Sequence, residues 1–508
     1  MNIGLLLRTV AHLRLEQIVF QVLRRVHKPQ FKALRRRGDA DCRRMAVEAA
    51  ARWRCCDGNK FVFLNIIDDF RGWNNTGHGM LWAYNQNYMD WLNQPEMTAE
   101  EGAVWIDRFI ADIGNNNVGL DPYPIALRGI NWVKFFSRYP KTATQVRLDA
   151  LYSQYRLLER KLERHLLGNH LLEDAFSLYV GASCLGDRRM LGKAERLLKS
   201  QLREQTLADG AHYEQSPMYH CILLDRLLDC INIGGGYYVG QELKPVAERM
   251  LGHLQSIVYA DGTIPLLNDS AVGIAPLPED VFAYARRLGL HWSAVALGAC
   301  GYRKMTDCGC EAIVDVGNIT ASYQPGHTHA DTFSFELRRH GQPFVVDTGI
   351  STYDKTPRRQ FERSTEAHNT VCVGGRPSSE VWGGFRVGRR ASVALLRDEA
   401  MVVEAEHDGF GKLGRHRRKF ELADGVFTIT DRVSTSADSV AYLHFAHGVE
   451  VTEFDDTVIH TSLGDVAING AVGVEIADGT VSHEYNRFET VKVAAVRFKQ
   501  NLQIRINI

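Results

Sequence analysis

The spacing of apolar residues indicates helices over the first three hundred residues. In LDALYSQYRLLERKLERHL, residues 148–166, apolar side chains recur every three or four positions, which places them on one helix face. The segment CILLDRLLDCINIGGG, residues 221–236, repeats this spacing and ends in glycines, a common helix stop. Roughly a dozen such helices joined by short loops predict a helical array or toroid.

An alternation of apolar and polar residues replaces this spacing from about Cys308 onward. Three examples are TFSFELRRHGQPFVVDTG (332–349), KFELADGVFTITDRV (419–433) and VKVAAVRFKQNLQIRINI (491–508). Many short strands without intervening helices predict an antiparallel β-sandwich. The predicted fold class is therefore α+β and multidomain. The helical domain covers residues 1–307, including a helical extension over 1–60, and the sandwich covers 308–508. Clefts between domains are common ligand sites.

The N-terminal segment has an amphipathic pattern. Its apolar run Ile3–Leu7 ends at Arg8 and is too short for a signal-peptide core. No stretch of the chain approaches the roughly 20 apolar residues of a membrane span. We expect the first helix, which carries Arg14, Arg24 and Arg25, to pack on the protein surface rather than to contact a membrane. The missing signal peptide predicts a cytoplasmic protein and leaves a periplasmic or exported one open.

Composition narrows the possible partners. Lys plus Arg equals Asp plus Glu, at 60 each, so the chain is not a general nucleic-acid binder. Apolar residues make up 45% of the chain, enough for a large core. The ten cysteines show no disulfide framework, and we expect free thiols in a reducing compartment. The oligomeric state is left open.

Two stretches of the helical half concentrate polar groups. In GNHLLED, residues 168–174, Asn169, His170 and Glu173 either cap a helix or point together into a cavity. In DGAHYEQSPMYH, residues 209–220, Ser216-Pro217 is a plausible helix start. Tyr219 would then lie near the first helical turn, as a site residue or as an amphipathic filler.

Histidines and one aspartate mark the sheet half. GHTHADTF contributes His327 and His329, EAHNTV contributes His368, and FVVDTG contributes Asp347. Together His329, Asp347 and His368 form a His/Asp/His set of the kind that binds zinc. Chance sets are common in a chain with 19 histidines.

Several arginines are further candidates. Arg359 and Arg363 in PRRQFER flank the His368 segment and could line a groove for a polyanion, although charge runs are usually solvated. Arg128 in PYPIALRGINW is a lesser candidate. For Asn268 and Asp269 in DGTIPLLNDS, buried hydrogen bonding is the favoured prediction.

The ordered motifs resemble those of heparinase II/III-like polysaccharide lyases, especially the branch found among bacterial surface-polysaccharide genes. FVFLNI, PYPIALRGINWVKF, GNHLLEDA, DGAHYEQSPMYH, DGTIPLLNDS, GHTHADTFSFEL, FVVDTG and HNTV occur in the order of that family. The resemblance implies an α/α-toroid followed by an antiparallel β-sandwich. It departs at AYNQNYMDWL, where Asn87 replaces a histidine that is usual in this branch.

The resemblance also implies β-elimination at a uronic-acid residue of an acidic polysaccharide or oligosaccharide. Asn169 and His170 match the positions that neutralise the uronate carboxylate. Tyr219 matches the catalytic acid, which in some eliminations is also the base, and His327 matches the second proton-transfer group. Tyr213 is the alternative tyrosine. Glu173, Tyr213, Arg128, Arg359 and Arg363 are the predicted substrate-binding residues.

The resemblance implies no organic cofactor and a structural zinc ion on His329, Asp347 and His368. Such an ion would hold the loop that carries His327. Two other functions stay open. One is a non-catalytic carbohydrate-binding or assembly protein on the same fold. The other is a glycoside hydrolase, for which Glu173 and Glu214 are the available carboxylate pair.

Overall fold

The computed structural model describes residues 3–37 and 43–507, and for Tyr237 it describes the backbone alone. The α-helices are α1 Ile3–Val10, α2 Leu15–Val26, α3 Met80–Tyr88, α4 Ala99–Asp112, α5 Pro122–Arg138, α6 Gln145–Lys161, α7 Gly168–Leu185, α8 Arg188–Gln205, α9 Pro217–Ile233, α10 Gly236–Tyr238, α11 Lys244–Ile257, α12 Pro278–Arg287 and α13 Pro357–Glu362. None of the helices in these ranges is long and apolar enough to cross a membrane.

The strands lie mainly in the C-terminal part of the chain. They are β1 Cys56–Asp57, β2 Lys60–Phe63, β3 Ile66–Asp69, β4 Tyr302–Asp307, β5 Cys310–Asp315, β6 Phe335–Arg339, β7 Gln342–Val345, β8 Val371–Val373, β9 Val381–Trp382, β10 Arg386–Val387, β11 Val393–Glu399, β12 Val402–His407, β13 His416–Ala423, β14 Val426–Val433, β15 Ser439–His444, β16 Val451–Phe454, β17 Val458–Thr461, β18 Gly464–Val481 and β19 Glu489–Asn507.

Two antiparallel sheets form the C-terminal half. The large sheet runs β11-β12-β13-β14-β19-β18-β17-β16, and β15 pairs with both β19 and β8. The smaller sheet runs β4-β5-β6-β7. Strand β4 pairs with β5 along its whole length, with Met305 opposite Ala312. The sheet half therefore begins at Tyr302, six residues before the predicted boundary at 308.

The predicted helical extension over 1–60 is only partly helical. Helix α1 ends at Val10 and helix α2 ends at Val26, and strands β1 to β3 form a small sheet over residues 56–69. Its apolar side chains join the core of the helical half, where Phe61 stacks edge-on against Trp91 and Trp105.

Helix α7 carries Asn169 and His170 in its first turn, and helix α9 carries Tyr219 in its first turn. Helix α7 begins at Gly168, whose φ of +60° is a left-handed conformation that glycine adopts without strain. Helix α9 begins at Pro217, with the Ser216 hydroxyl accepting a hydrogen bond from Tyr219 N at 3.2 Å. This confirms the helix start predicted from Ser216-Pro217.

Close packing of α5, α6 and α7 depends on small residues. The fully buried ring of Tyr155 in α6 lies against Gly129 of α5 and Gly181 of α7, and a Cβ at either glycine would overlap that ring. These contacts fix the axis of α7, and therefore the direction in which its first turn projects Asn169 and His170.

We predict that Gly181→Ala lowers the free energy of unfolding by about 1–3 kcal/mol, because the buried Tyr155 ring has no free space to enter. Chemical denaturation followed by circular dichroism measures the change. Gly192→Ala is the matched control. It lies on α8, where the nearest atom to an added Cβ is Arg196 Nη1 at 3.7 Å. The control should be neutral or slightly stabilising, and equal stability of the two variants would contradict the packing described.

Candidate active site

A cavity of about 520 Å³ lies between the helical and sheet halves. The helical half contributes Asn169, His170, Glu214, Tyr219 and Arg226 to its wall, and the sheet half contributes His327, Tyr353, Phe385 and Tyr485. The crevice expected between the two domains is therefore present, and all four predicted catalytic residues line it.

Tyr219 and His327 face each other across this crevice. Their ring centroids are 4.0 Å apart and their planes are inclined by 31°. The Tyr353 hydroxyl lies 3.4 Å from that of Tyr219. Burial raises the pKa of Tyr219 above its ordinary value near 10, so the phenol keeps its proton at neutral pH. Tyr219 is therefore suited to donate a proton within reach of an imidazole.

Asp269 orients His327 from behind. Its Oδ2 lies 2.9 Å from His327 Nδ1 and accepts a hydrogen bond from Arg359 Nη2 at 2.7 Å. Burial opposes ionisation, but Arg359 and the neighbouring histidines hold the pKa of Asp269 well below its usual range. An ionised carboxylate accepts a hydrogen bond from Nδ1, which leaves the lone pair of His327 on Nε2, the nitrogen next to Asn169 in the cavity wall. His327 is thus arranged as a base.

Asn169 and Glu214 form the wall beside His327 Nε2. The backbone N and the Nδ2 of Asn169 each donate to Glu214 at 2.8 Å. The same Nδ2 lies 3.2 Å from His327 Nε2, and Glu214 Oε2 lies 3.5 Å from it. An amide donor, a carboxylate and an imidazole therefore meet at one point on the cavity wall.

His170 provides a cationic group on the next face of α7. Its Nδ1 lies 3.0 Å from Glu163 Oε2, and the Tyr123 ring lies 4.9 Å from the imidazole ring. Burial alone would lower the pKa of His170, but neighbouring carboxylates, Glu163 first, raise it above its ordinary value. The cavity therefore presents an imidazole whose protonated form is favoured by its surroundings, which suits an anionic ligand.

Glu173 lies beneath the cavity floor rather than in its wall. Its side chain is fully buried, and neither carboxylate oxygen has a hydrogen-bond partner among the described residues. Burial raises its pKa to about 7, and the nearest cation is Arg226, with Nε 3.8 Å from Oε2. Glu173 is therefore separated from the cavity, and its carboxylate lies next to Arg226, which lines the cavity.

Four residues predicted to bind substrate lie outside the cavity wall. Arg128 donates to Gln154 Oε1 and to the carbonyl oxygens of Asn87 and Gly119, at 2.7–2.9 Å. The hydroxyl of Tyr213 lies 2.9 Å from that of Tyr323.

The two remaining arginines, Arg359 and Arg363, also form internal hydrogen bonds. Arg359 binds Asp269, and Arg363 donates to the Thr328 carbonyl at 2.8 Å. The polar atoms of all four side chains are used in internal contacts, and these residues are not part of the cavity wall.

The predicted metal ligands cluster behind the catalytic pair. Buried His329 Nδ1 and His368 Nε2 have no hydrogen-bond partner among the described residues, and the two rings lie 5.2 Å apart. Asp347 Oδ2 lies 2.7 Å from His368 Nδ1. Two imidazoles with open nitrogens and a nearby carboxylate fit zinc chemistry.

The three side chains must draw closer together to share one ion. In the described part of the chain, the group whose ligand atoms all lie within 4.8 Å of one another is a different one, formed by Asp209, His253 and Cys300. There the Asp209 carboxylate already accepts hydrogen bonds from the backbone N of Cys300 and of Gly298.

Sequence reasoning missed several residues of the wall. Tyr353, Arg226 and Tyr485 line the cavity, and nothing in their local sequence separates them from ordinary packing residues. Asp269 was identified as a buried hydrogen-bonding residue, and its position next to Asn268 gave no sign that it would meet His327. The sequence separation of 58 residues between Asp269 and His327 explains why only the fold reveals this pair.

The sequence is similar to two family models and to two heparin-sulfate lyases. A family model described as Heparinase II/III N-terminus matches residues 150–280, and one described as Heparinase II/III-like, C-terminal matches residues 291–508. A heparin-sulfate lyase of Bacteroides thetaiotaomicron is 20% identical over 359 residues, which cover 59% of this chain and 49% of that protein. A heparin-sulfate lyase of Pedobacter heparinus is 25% identical over 238 residues, covering 41% of this chain and 36% of that protein.

A solved structure supports the fold. The crystal structure of heparinase III superposes with a TM-score of 0.66 at 16% identity and covers 84% of this chain and 76% of that one. The chain spans about half or less of the length of the curated relatives it matches. Because the two family models together match more than half of the chain in the expected order, the protein belongs to the heparinase II/III-like family, with the predicted helical toroid and antiparallel β-sandwich.

Proposed function

We propose that the protein is a polysaccharide lyase that cleaves an acidic polysaccharide by β-elimination at a uronic-acid residue. The observation that carries the proposal is the contact between Tyr219 and His327, which brings a phenol and an oriented imidazole from opposite halves to one cavity. The names of the heparin-sulfate lyases that the chain resembles add support.

The proposed reaction needs one base and one acid. His327 Nε2 removes the C5 proton of the uronate, and the electron pair left behind forms the C4–C5 double bond. The bond from C4 to the glycosidic oxygen then breaks, and the Tyr219 hydroxyl gives its proton to that oxygen. After the elimination, His327 carries one extra proton and Tyr219 lacks one. Transfer of that proton from His327 to Tyr219 returns both side chains to their starting states. No water is consumed.

Proton removal from C5 depends on neutralising the uronate carboxylate, because charge builds up there as the proton leaves. The Asn169 amide and the His170 imidazolium are the groups that serve this purpose in the proposal. Arg226 lies in the same wall and adds positive charge. This donor set suits a monoanionic sugar and does not identify the polymer.

The two alternatives are less well supported. A glycoside hydrolase would need two carboxylates facing the substrate, but of the pair Glu173 and Glu214 only Glu214 lines the cavity. A non-catalytic carbohydrate-binding protein would have no need for a buried carboxylate that orients His327.

A periplasmic, exported or cytoplasmic location is equally compatible with the proposed chemistry.

We propose in addition a structural zinc ion held by His329, Asp347 and His368. Two buried ring nitrogens that have no hydrogen-bond partner within residues 3–37 and 43–507, His329 Nδ1 and His368 Nε2, support this role. The ion would supply no chemistry to the elimination and would fix the loop from which His327 projects.

The first test uses purified protein with a panel of uronic-acid polymers and records ultraviolet absorbance of the unsaturated product. We expect product from the wild type and a decrease in kcat of about 10²–10⁴-fold in Tyr219→Phe, which loses the acid. Tyr88→Phe, which alters another tyrosine of the same cavity, should retain most activity. Reducing ends without absorbance would indicate a hydrolase, and binding without product would indicate an assembly protein.

The second test concerns pH. The carboxylate of Glu163 keeps His170 protonated to higher pH, so its removal should lower the pKa of His170. We expect the alkaline limb of the pH profile of kcat/KM to move to lower pH in Glu163→Gln. The matched control is Glu159→Gln, one turn earlier, where the carboxylate binds Lys193 at 2.9 Å. An unshifted limb in both variants would remove His170 from the binding step.

The third test is metal analysis of the purified protein. We expect close to one zinc ion per chain in the wild type and little in His368→Ala, and a lower melting temperature after chelation. His340→Ala, which removes an exposed histidine, should leave zinc content unchanged. Equal zinc in both variants would contradict the proposed ligand set.

A further inference from the structure

The two N-terminal helices turn their apolar faces away from the protein. In α2 the apolar residues recur at helical spacing, and Leu15, Val22 and Val26 are 74%, 57% and 79% exposed. In α1 the same holds for Ile3 and Leu7, at 71% and 64%. Ordinary surface helices bury such a stripe against the core. Here it forms an exposed apolar strip, defined by Ile3, Leu7, Val10, Leu15, Ile18, Val19, Val22, Leu23 and Val26.

Polar contacts hold these helices in place, together with the half-buried side chains of Leu5 and Phe20. Gln17 is 1% exposed and donates to the Leu166 carbonyl at 3.1 Å, and Glu16 accepts from Arg164 at 2.7 Å. In α1, Arg8 binds both carboxylate oxygens of Glu380 at 2.8 and 2.9 Å. The first helices pack on the protein surface as expected, but they do so largely through polar side chains, and most of their apolar residues stay exposed.

Positive charge surrounds the exposed apolar strip. Residues 3–37 contain nine Lys and Arg residues and one acidic residue, Glu16. Beyond the end of α2, Lys32, Arg35 and Arg37 are exposed, as is Arg25 within it. None of these four forms an ion pair with another described residue.

We propose that this N-terminal segment docks the protein on an anionic membrane surface, with the apolar strip in the lipid interface and the basic residues against the head groups. An amphipathic helix that is rich in Lys and Arg and exposes an apolar face binds membranes in this way. The proposal does not depend on the catalytic function of the cavity.

Two other occupants explain only part of the surface. A second copy of the chain would cover the apolar strip but would bring two strongly basic segments together, which like-charge repulsion opposes. An acidic polysaccharide would pair with the basic residues but would leave the apolar strip in water. A membrane with anionic lipids satisfies both features at once.

The test measures co-sedimentation of the full-length protein with phosphatidylcholine vesicles, with and without phosphatidylglycerol. We expect binding to the anionic vesicles that weakens with salt. The triple variant Leu15→Gln/Val22→Gln/Val26→Gln should bind at least about tenfold more weakly. The triple variant Arg25→Gln/Lys32→Gln/Arg35→Gln should lose about 100-fold in affinity.

The matched control replaces three exposed valines elsewhere, Val104→Gln/Val146→Gln/Val472→Gln, and should bind vesicles like the wild type. Circular dichroism and melting temperature should be unchanged in all three variants, because the replaced side chains do not contact the core.

Three results would overturn the proposal. One is wild-type protein that does not sediment with anionic vesicles. Another is a dimer in analytical ultracentrifugation that the Leu15, Val22 and Val26 substitutions convert to a monomer without any vesicle binding. The third is a basic-residue variant with a raised KM for polymer and unchanged vesicle binding.

Discussion

The site depends on the hydrogen bonds that the buried carboxylate of Asp269 accepts. This carboxylate lies in the segment that follows α11, and it accepts hydrogen bonds from three groups of the sheet half: His327, His329 and Arg359. A buried carboxylate without partners would carry a large desolvation cost, and a buried pair is strongly destabilised when one member is removed. These buried hydrogen bonds join the two halves at one point, and His327 lies opposite Tyr219 there.

The broad architecture was predictable because it follows from the periodicity of apolar residues. Helical spacing in residues 148–166 and alternation in residues 419–433 each report the local burial pattern, and the structure has α6 and the β13-β14 hairpin there. The exact start of the sheet was not predictable. Strand β4 reads YRKMTD, which is short and has few apolar residues, so only its pairing with β5 shows that it belongs to the sheet.

Some residues of the candidate site could be predicted from the sequence, and the positions of others could not. Asn169, His170 and Tyr219 lie at helix starts within recognisable motifs, and Ser216 caps the helix that carries Tyr219, whereas the start of α7 has no side-chain cap. Arg128 and Arg363 were predicted to bind substrate because a charged side chain in a motif suggests an anionic ligand. A buried arginine instead satisfies its donors with backbone carbonyls, as Arg128 does with Asn87 and Gly119. Whether an arginine faces a cavity or a carbonyl depends on tertiary packing that spacing along the chain does not encode.

The left-handed backbone at Gly168 limits which residues this position can accept. A Cβ at this position would collide with the Glu214 carboxylate, which accepts the backbone and side-chain hydrogen bonds of Asn169. Any side chain at position 168 would therefore have to displace the Glu214 carboxylate and break the hydrogen bonds that it accepts from Asn169. Glycine is the residue that meets both constraints at position 168, the left-handed backbone and the lack of space beside Glu214.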